Sequence, residues 1–257
     1  MQIVIPMAGL GQRFKDAGYA LPKPLVPIDG VPMVVRVVRE LPVATRVIFV
    51  VHPDHVAEFG IDTILKREVP HGEIIITPGL TEGQACSVRL AAPLLNLDES
   101  VMVSACDNSH LYHAAQFKAL AENPAVDAMI WTYRGEPRVL VKPEWYGWVR
   151  ADHTGLVSEV SCKQPISTTP LIDHVVSGAF WFRTARLMID GIDQLVASGR
   201  RVNREFYLDV VPNLLIEQGK NVRVFPVDKY IGWGTPDDVT DYERWTRYLD
   251  AAMRKAA

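Results

Sequence analysis

The first 105 residues repeat one pattern, a short Val- and Ile-rich run followed by a stretch whose apolar residues recur at helical spacing. The runs fall at 3–6, 46–51, 73–77 and 101–105, and the helical stretches at 33–41 and 84–95. Apolar runs of this length with no polar alternation read as strands buried on both faces. The stretch 33–41 opens after Pro32 and turns Val34, Val35, Val37 and Val38 toward a core. Strands that alternate with helices pair in parallel through helical crossovers. The chain is therefore expected to form an α/β fold with a mostly parallel, Rossmann-like sheet and helices on both faces. Ligands of such sheets bind beyond the carboxyl ends of the strands, so the loops after Ile5, Thr77 and Ala105 should converge.

The second half reads differently. Strands are expected at 126–133, 145–150, 156–161, 175–182 and 222–227, and helices at 187–197, 208–218 and 236–254. No internal repeat, low-complexity tract or linker separates the halves, so residues 1–257 are read as one domain with a β subregion added after about residue 110. A formal charge of -3 predicts no broad attraction to nucleic acid or to an anionic membrane surface. No apolar run approaches the ~20 residues of a membrane span. The start, Met1 to Pro6, has neither a basic n-region nor a cleavable apolar segment, which points to the cytoplasm. Cys86, Cys106 and Cys162 are scattered and odd in number, against a disulfide framework or a zinc knuckle. His110 and His113 lie three apart but have no evident third partner for zinc.

The sharpest local signal follows the first strand, in Met7-Ala8-Gly9-Leu10-Gly11-Gln12-Arg13-Phe14. Two glycines allow backbone N–H groups to approach a ligand closely. Arg13 adds a planar, permanently charged donor for phosphate oxygens. Ten residues on, Lys23 stands between Pro22 and Pro24, which stiffen the segment that presents it. A dinucleotide-binding turn needs a third glycine where Phe14 stands, and no Walker A sequence is present.

Gly9-x-Gly11-x-Arg13 followed by Pro22-Lys23-Pro24-Leu25 and Pro27-Ile28 resembles the opening motif of the sugar-phosphate nucleotidyltransferases, or nucleoside-diphosphate-sugar pyrophosphorylases. The resemblance continues less tightly along most of the chain. It implies a nucleotide-binding half over about 1–110 and an acceptor-binding half over about 111–257. Ala8, Gly9, Leu10 and Gly11 would wrap the triphosphate, Arg13 would neutralise the departing pyrophosphate, and Lys23 would hold oxygens near the α-phosphorus. Asp107, at the end of an apolar strand, corresponds to the family's Mg²⁺ ligand; a helix cap is its plain alternative. Gly83 falls where the base and ribose are recognised, and is otherwise a helix-start glycine. Tyr146, Gly147, Lys163 and Gly178 match acceptor-contacting segments. By the same analogy the NTP is a pyrimidine nucleotide, and the product a precursor in surface polysaccharide biosynthesis.

Two positions depart from the family. Cys162 stands where sugar-specific members carry a glutamate for sugar hydroxyls, and a thiol is a weak donor and acceptor. Gly232 stands where a second metal-binding aspartate is expected, with Asp228, Asp237 and Asp238 as substitutes between which the sequence does not choose. The acceptor could then be a sugar 1-phosphate or another phosphorylated molecule, such as an amino alcohol or amide that decorates a glycan; a molybdopterin-type acceptor is a further variant. The expected reaction is attack by the acceptor phosphate on the α-phosphorus of the NTP, with release of pyrophosphate. Competing readings are a nucleotide-binding module without catalysis, which Gly232 favours, and a nicotinamide-dependent oxidoreductase, which Phe14 disfavours. Oligomeric state is not encoded in any motif.

Overall fold

In the computed structural model, which describes residues 1–256, the strand Gln2–Met7 runs through the middle of a nine-stranded sheet. It pairs in parallel with Arg46–Val51 on one side and Val101–Ser104 on the other, and Gly72–Ile76 extends this block. Ile3, Ile5 and Met7 enter one core cluster and Val4 another, as the two-residue period of a strand covered on both faces demands. All four strands lie within a residue of the expected bounds. The helix Met33–Glu40 buries Met33, Val34, Val35 and Val37.

Beyond Val101–Ser104 the sheet turns antiparallel. His174–Phe182 comes next, followed by Gly147–Ala151 and Val157–Cys162. Ala128–Tyr133 also pairs with His174–Phe182, and Val222–Pro226 joins it in parallel. The sheet is thus mixed, parallel in the first half and largely antiparallel in the second. The short turn between Ala151 and Val157 permits only an antiparallel return.

Two helices are shorter than their patterns suggest. The stretch 84–95 is helical only over Gln84–Arg89, and the chain then tightens into a 3-10 turn, Ala92–Leu94, around Pro93. Proline lacks the N–H that a continuing helix would use. The stretch 208–218 opens as a 3-10 turn, Leu208–Val210, before the helix Val211–Glu217. The helices Pro53–Phe59, Ile61–Glu68 and Ala114–Glu122 supply connections whose periodicity the sequence pattern did not single out.

One irregularity opens the molecule for a ligand. His174 and Val175 pair with Val149 and Trp148, whereas Ala179 to Phe182 pair with Ser104 to Val101. The strand changes neighbours at Ser177-Gly178, where Gly178 takes the left-handed φ of 87°. A Cβ on Gly178 would stand 3.0 Å from the Ala105 methyl, so the kink and the end of the central strand touch. A two-stranded ribbon, Asn108–Leu111 with Lys229–Gly232, closes the opposite side.

Candidate active site

Gly11 adopts a left-handed conformation, φ 61°, at the start of the short helix Gln12–Asp16. A Cβ there would approach the Lys23 Cβ to 3.1 Å, so the glycine lets the loop pack on the Pro-Lys-Pro segment. Phe14 is buried in a small apolar cluster with Val26, Ile28, Met33 and Trp233, and meets Tyr19 edge-on at 5.0 Å. The residue that rules out a dinucleotide turn is therefore the anchor of this loop.

Lys23 begins a 3-10 turn, Lys23–Leu25, after an extended Pro22. Its ammonium pairs with the Asp107 carboxylate across the floor of the cleft. Burial opposes the Lys23 charge, but Asp107 more than offsets it, and the pKa rises above the ordinary lysine value. Asp107 is itself held from behind, because its carbonyl accepts from the Trp233 N–H at 2.8 Å. The Arg13 guanidinium lies over the Trp145 indole, 3.8 Å from the ring centroid. This cation–π contact places a cation at the cleft wall, with no ion pair to Arg13 among the described residues.

The acceptor-side residues come together through strand pairing. Gly147 is the cross-strand partner of Cys162, which places Tyr146 and Lys163 side by side. The Lys163 N–H donates to the Tyr146 carbonyl at 2.9 Å, and its ammonium donates to the Trp145 carbonyl. Lys163 has a positive φ of 63°, uncommon for a non-glycine residue and typical of strained functional segments. Burial pushes the Cys162 thiol well above its usual pKa, with the charge of Asp209 adding to the effect, so it stands as a neutral group.

These groups line one cleft of about 460 Å³ that holds Gly9, Gly11, Arg13, Lys23 and Asp107 on one side and Tyr146, Gly147, Lys163 and Gly178 on the other. Ala8 is buried behind the lining, and Leu10 is partly exposed beside it. Gly83 stands outside the lining, and its neighbour Gln84 is in it. Gly83 has φ 131°, and a Cβ there would lie 2.6 Å from both the N and the O of Phe206. Its bareness admits the backbone of Phe206, whose N–H bonds to Glu82 and whose carbonyl accepts from Ala85.

Of the three candidate second carboxylates, Asp238 is the one near the site. Asp107 Oδ2 and Asp238 Oδ2 lie 3.2 and 3.9 Å from where a Cβ on Gly234 would stand. Asp238 is held by the Thr235 N–H and hydroxyl and by Arg138. Asp228 is at the far end of the ribbon, 3.6 Å from His113, and Asp237 is exposed. Among the described residues no group of three or more His, Cys, Asp or Glu side chains gathers as a metal cage. His110 is buried against Trp131, its pKa lowered to about 4 by desolvation. Sequence reasoning missed Trp145, Tyr207 and Asp209 in the cleft wall. Only Asp209 carried a signal, as a lone carboxylate in the apolar run Phe206-Tyr207-Leu208-Asp209-Val210-Val211.

The family match makes the chain a nucleotidyltransferase by class. The chain belongs to the MobA-like NTP transferase domain family, whose description matches residues 3–166. Its fold is similar to that of the nucleoside-diphosphate-sugar pyrophosphorylase from Vibrio cholerae RC9, with a TM-score of 0.76, 22% identity, and 94% of this chain and 99% of that one covered. It is also similar to the inositol-1-phosphate CTP transferase from T. maritima, with a TM-score of 0.70, 16% identity, and 94% and 93% covered. A comparison with curated proteins by sequence finds no match. No helix among the described residues is long and apolar enough to cross a membrane.

Proposed function

We propose that this chain joins an NTP to a phosphorylated small-molecule acceptor, a sugar 1-phosphate or a similar glycan precursor, with release of pyrophosphate. The observation that carries the reading is the convergence of Arg13, Lys23, Asp107 and Lys163 on one cleft at the carboxyl ends of the parallel strands. Ala8 to Gly11 cradle the triphosphate, with Arg13 on the departing pyrophosphate and Lys23 beside the α-phosphate. Gly83 sets the path of the chain that borders the base, and a pyrimidine is the base proposed. Tyr146, Gly147, Lys163 and Gly178 seat the acceptor, with Lys163 as the cation for its phosphate once the ammonium leaves the Trp145 carbonyl.

The chemistry asks little of the protein beyond position and charge. A phosphate monoester is mostly ionised at neutral pH, its second pKa being about 6, so the nucleophile needs no general base. Two polyanions must instead be brought into line, and three fixed cations in a restricted cleft do this. Mg²⁺ fits the donors present, since it keeps several waters and takes one or two carboxylates together with substrate phosphates. Asp107 would hold it, with Asp238 approaching the same spot, and the ion would neutralise charge on the reacting phosphates. Lys23 keeps the Asp107 carboxylate oriented toward the cleft before substrate arrives.

The test is to incubate the protein with Mg²⁺, each NTP in turn and a panel of sugar and non-sugar phosphates, and to measure pyrophosphate. Release with one NTP and one acceptor class is expected. NTP binding by calorimetry without pyrophosphate from any acceptor would replace the enzyme reading with that of a binding module.

A further inference from the structure

The antiparallel half closes on itself around a second cavity. Val222–Pro226, Ala128–Tyr133, His174–Phe182 and Gly147–Ala151 stand side by side. The turn after Gly147–Ala151 then returns to the first of them: Leu156 bridges Arg223, and the Gly155 carbonyl accepts from the Val224 N–H at 2.9 Å. The cavity at this closure measures about 600 Å³ and shares no lining residue with the cleft. A space of that size suits a small organic ligand. Its polar groups are cationic and short of partners. Arg134 makes no hydrogen bond and no ion pair among the described residues, yet its charge reaches His174 and joins burial in lowering that pKa to about 4. His174 meets the Thr132 hydroxyl through Nδ1 at 2.8 Å, which leaves Nε2 without a partner among the described residues. Arg223 is fixed through Nη1 by the Thr154 carbonyl and hydroxyl, while its Nε is buried with no acceptor. A buried donor left unpaired is costly. The carboxylates at the rim are committed to their own segments. Asp152 accepts from the Thr154 N–H and hydroxyl and from the Leu156 N–H, and Asp173 accepts from the Ser167 hydroxyl. Arg150, by contrast, pairs with Glu159 at 3.2 Å.

We propose that this cavity is a second binding site, separate from the cleft, for an organic anion: a phosphate or carboxylate carried on a small apolar body. Arg134, Arg223 and His174 hold the anion, and Val149, Ile166 and Ile172 face the body. Guanidinium groups without a protein carboxylate are the strongest donors for such oxygens, because the charge-assisted bond meets no competing partner. The apolar wall supplies area that a bare inorganic ion does not use. The site stands apart from nucleotidyl transfer and is read without any NTP.

The experiment is calorimetry on the full chain with phenyl phosphate, benzoate, inorganic phosphate and uncharged benzyl alcohol. At least one of the two aromatic anions should bind saturably, tenfold or more tighter than benzyl alcohol and than inorganic phosphate. The tighter of the two tells a phosphate from a carboxylate site. Arg134→Gln, at an exposed position, should weaken that binding tenfold or more, whereas Arg13→Gln, in the cleft, should leave it within twofold. The imidazole resonances of His174, identified with His174→Gln, should shift on saturation. Binding of neither anion overturns the proposal, as does equal binding of benzyl alcohol or an unchanged affinity in Arg134→Gln. Loss of binding in Arg13→Gln alone assigns the anion to the cleft and overturns it too. Inorganic phosphate binding as tightly as phenyl phosphate overturns the role of the apolar wall. Pyrophosphate release plays no part in these readouts, so the transfer reading stands or fails separately.

Discussion

Replacing Lys23 with methionine removes a cation from the cleft floor and strips Asp107 of its partner. Two effects follow, of different size. Breaking a fully buried pair costs ~3–5 kcal/mol. Here the side chains keep 21% and 22% of their exposure, so water screens the orphaned carboxylate and the expected loss of stability is about 1–3 kcal/mol. The effect on turnover is larger, because a preorganised cation beside the reacting phosphate acts most strongly on charge that develops in the transition state. Removal of one such group costs on the order of 10²- to 10³-fold, or about 2.7–4 kcal/mol. Urea denaturation reads the first effect and pyrophosphate release the second. The double variant Lys23→Met with Asp107→Asn separates them. It removes both charges, so stability should return to within about 1 kcal/mol of the parent, while turnover stays low. A double variant that regains turnover along with stability refutes a catalytic role for the pair.

Gly83→Ala should destabilise the fold by about 2–5 kcal/mol, combining a φ of 131° with a Cβ forced to 2.6 Å from the Phe206 backbone; a denaturation midpoint equal to the parent would remove the packing role assigned to that glycine. Trp145→Ala frees Arg13 from its stacked position 3.8 Å above the ring. A cation–π contact of about 0.5–2 kcal/mol then predicts NTP binding weaker by about 2- to 30-fold, and unchanged calorimetric affinity would count against the stacking. His110 should make the protein acid-sensitive. Its folded pKa, about 4, lies below the ordinary histidine value of 6.5, so the unfolded chain binds the extra proton between those values. Its contribution is complete above about pH 6.5 and is lost as the pH falls toward 4, on the order of 3 kcal/mol in all. Denaturation series on His110→Gln should show a flatter profile across that window, and an identical slope would sink the assignment.

Local chemistry was legible in the sequence where each residue carries its own meaning. The Val- and Ile-rich runs named the four strands around Gln2–Met7, because burial on both faces leaves few other ways to place them. The glycines, Arg13 and Lys23 raised the expectation of a polyphosphate loop, since backbone access and fixed cations are what phosphate oxygens need, and the structure gathers them in one cleft. Asp107 was visible as a carboxylate closing an apolar strand. Other features depend on partners far away in the chain. The antiparallel second half follows from which strands lie adjacent, and alternation alone does not encode that. The choice of Asp238 over Asp228 and Asp237 depends on how the ribbon of Lys229–Gly232 aligns with Asn108–Leu111. Gly83 reads as a helix start in sequence, and only the packed structure shows the backbone of Phe206 filling its missing side chain. Trp145 became part of the site because Arg13, more than a hundred residues earlier, folds onto its ring. Sequence by itself determined the parallel block and pointed to phosphate handling at the edge of a buried sheet, because charge and backbone freedom are local properties. Tertiary structure decided which side chains face that loop across the cleft, because Asp209 acquires its place only when Gly147 and the turn at Leu208–Val210 meet.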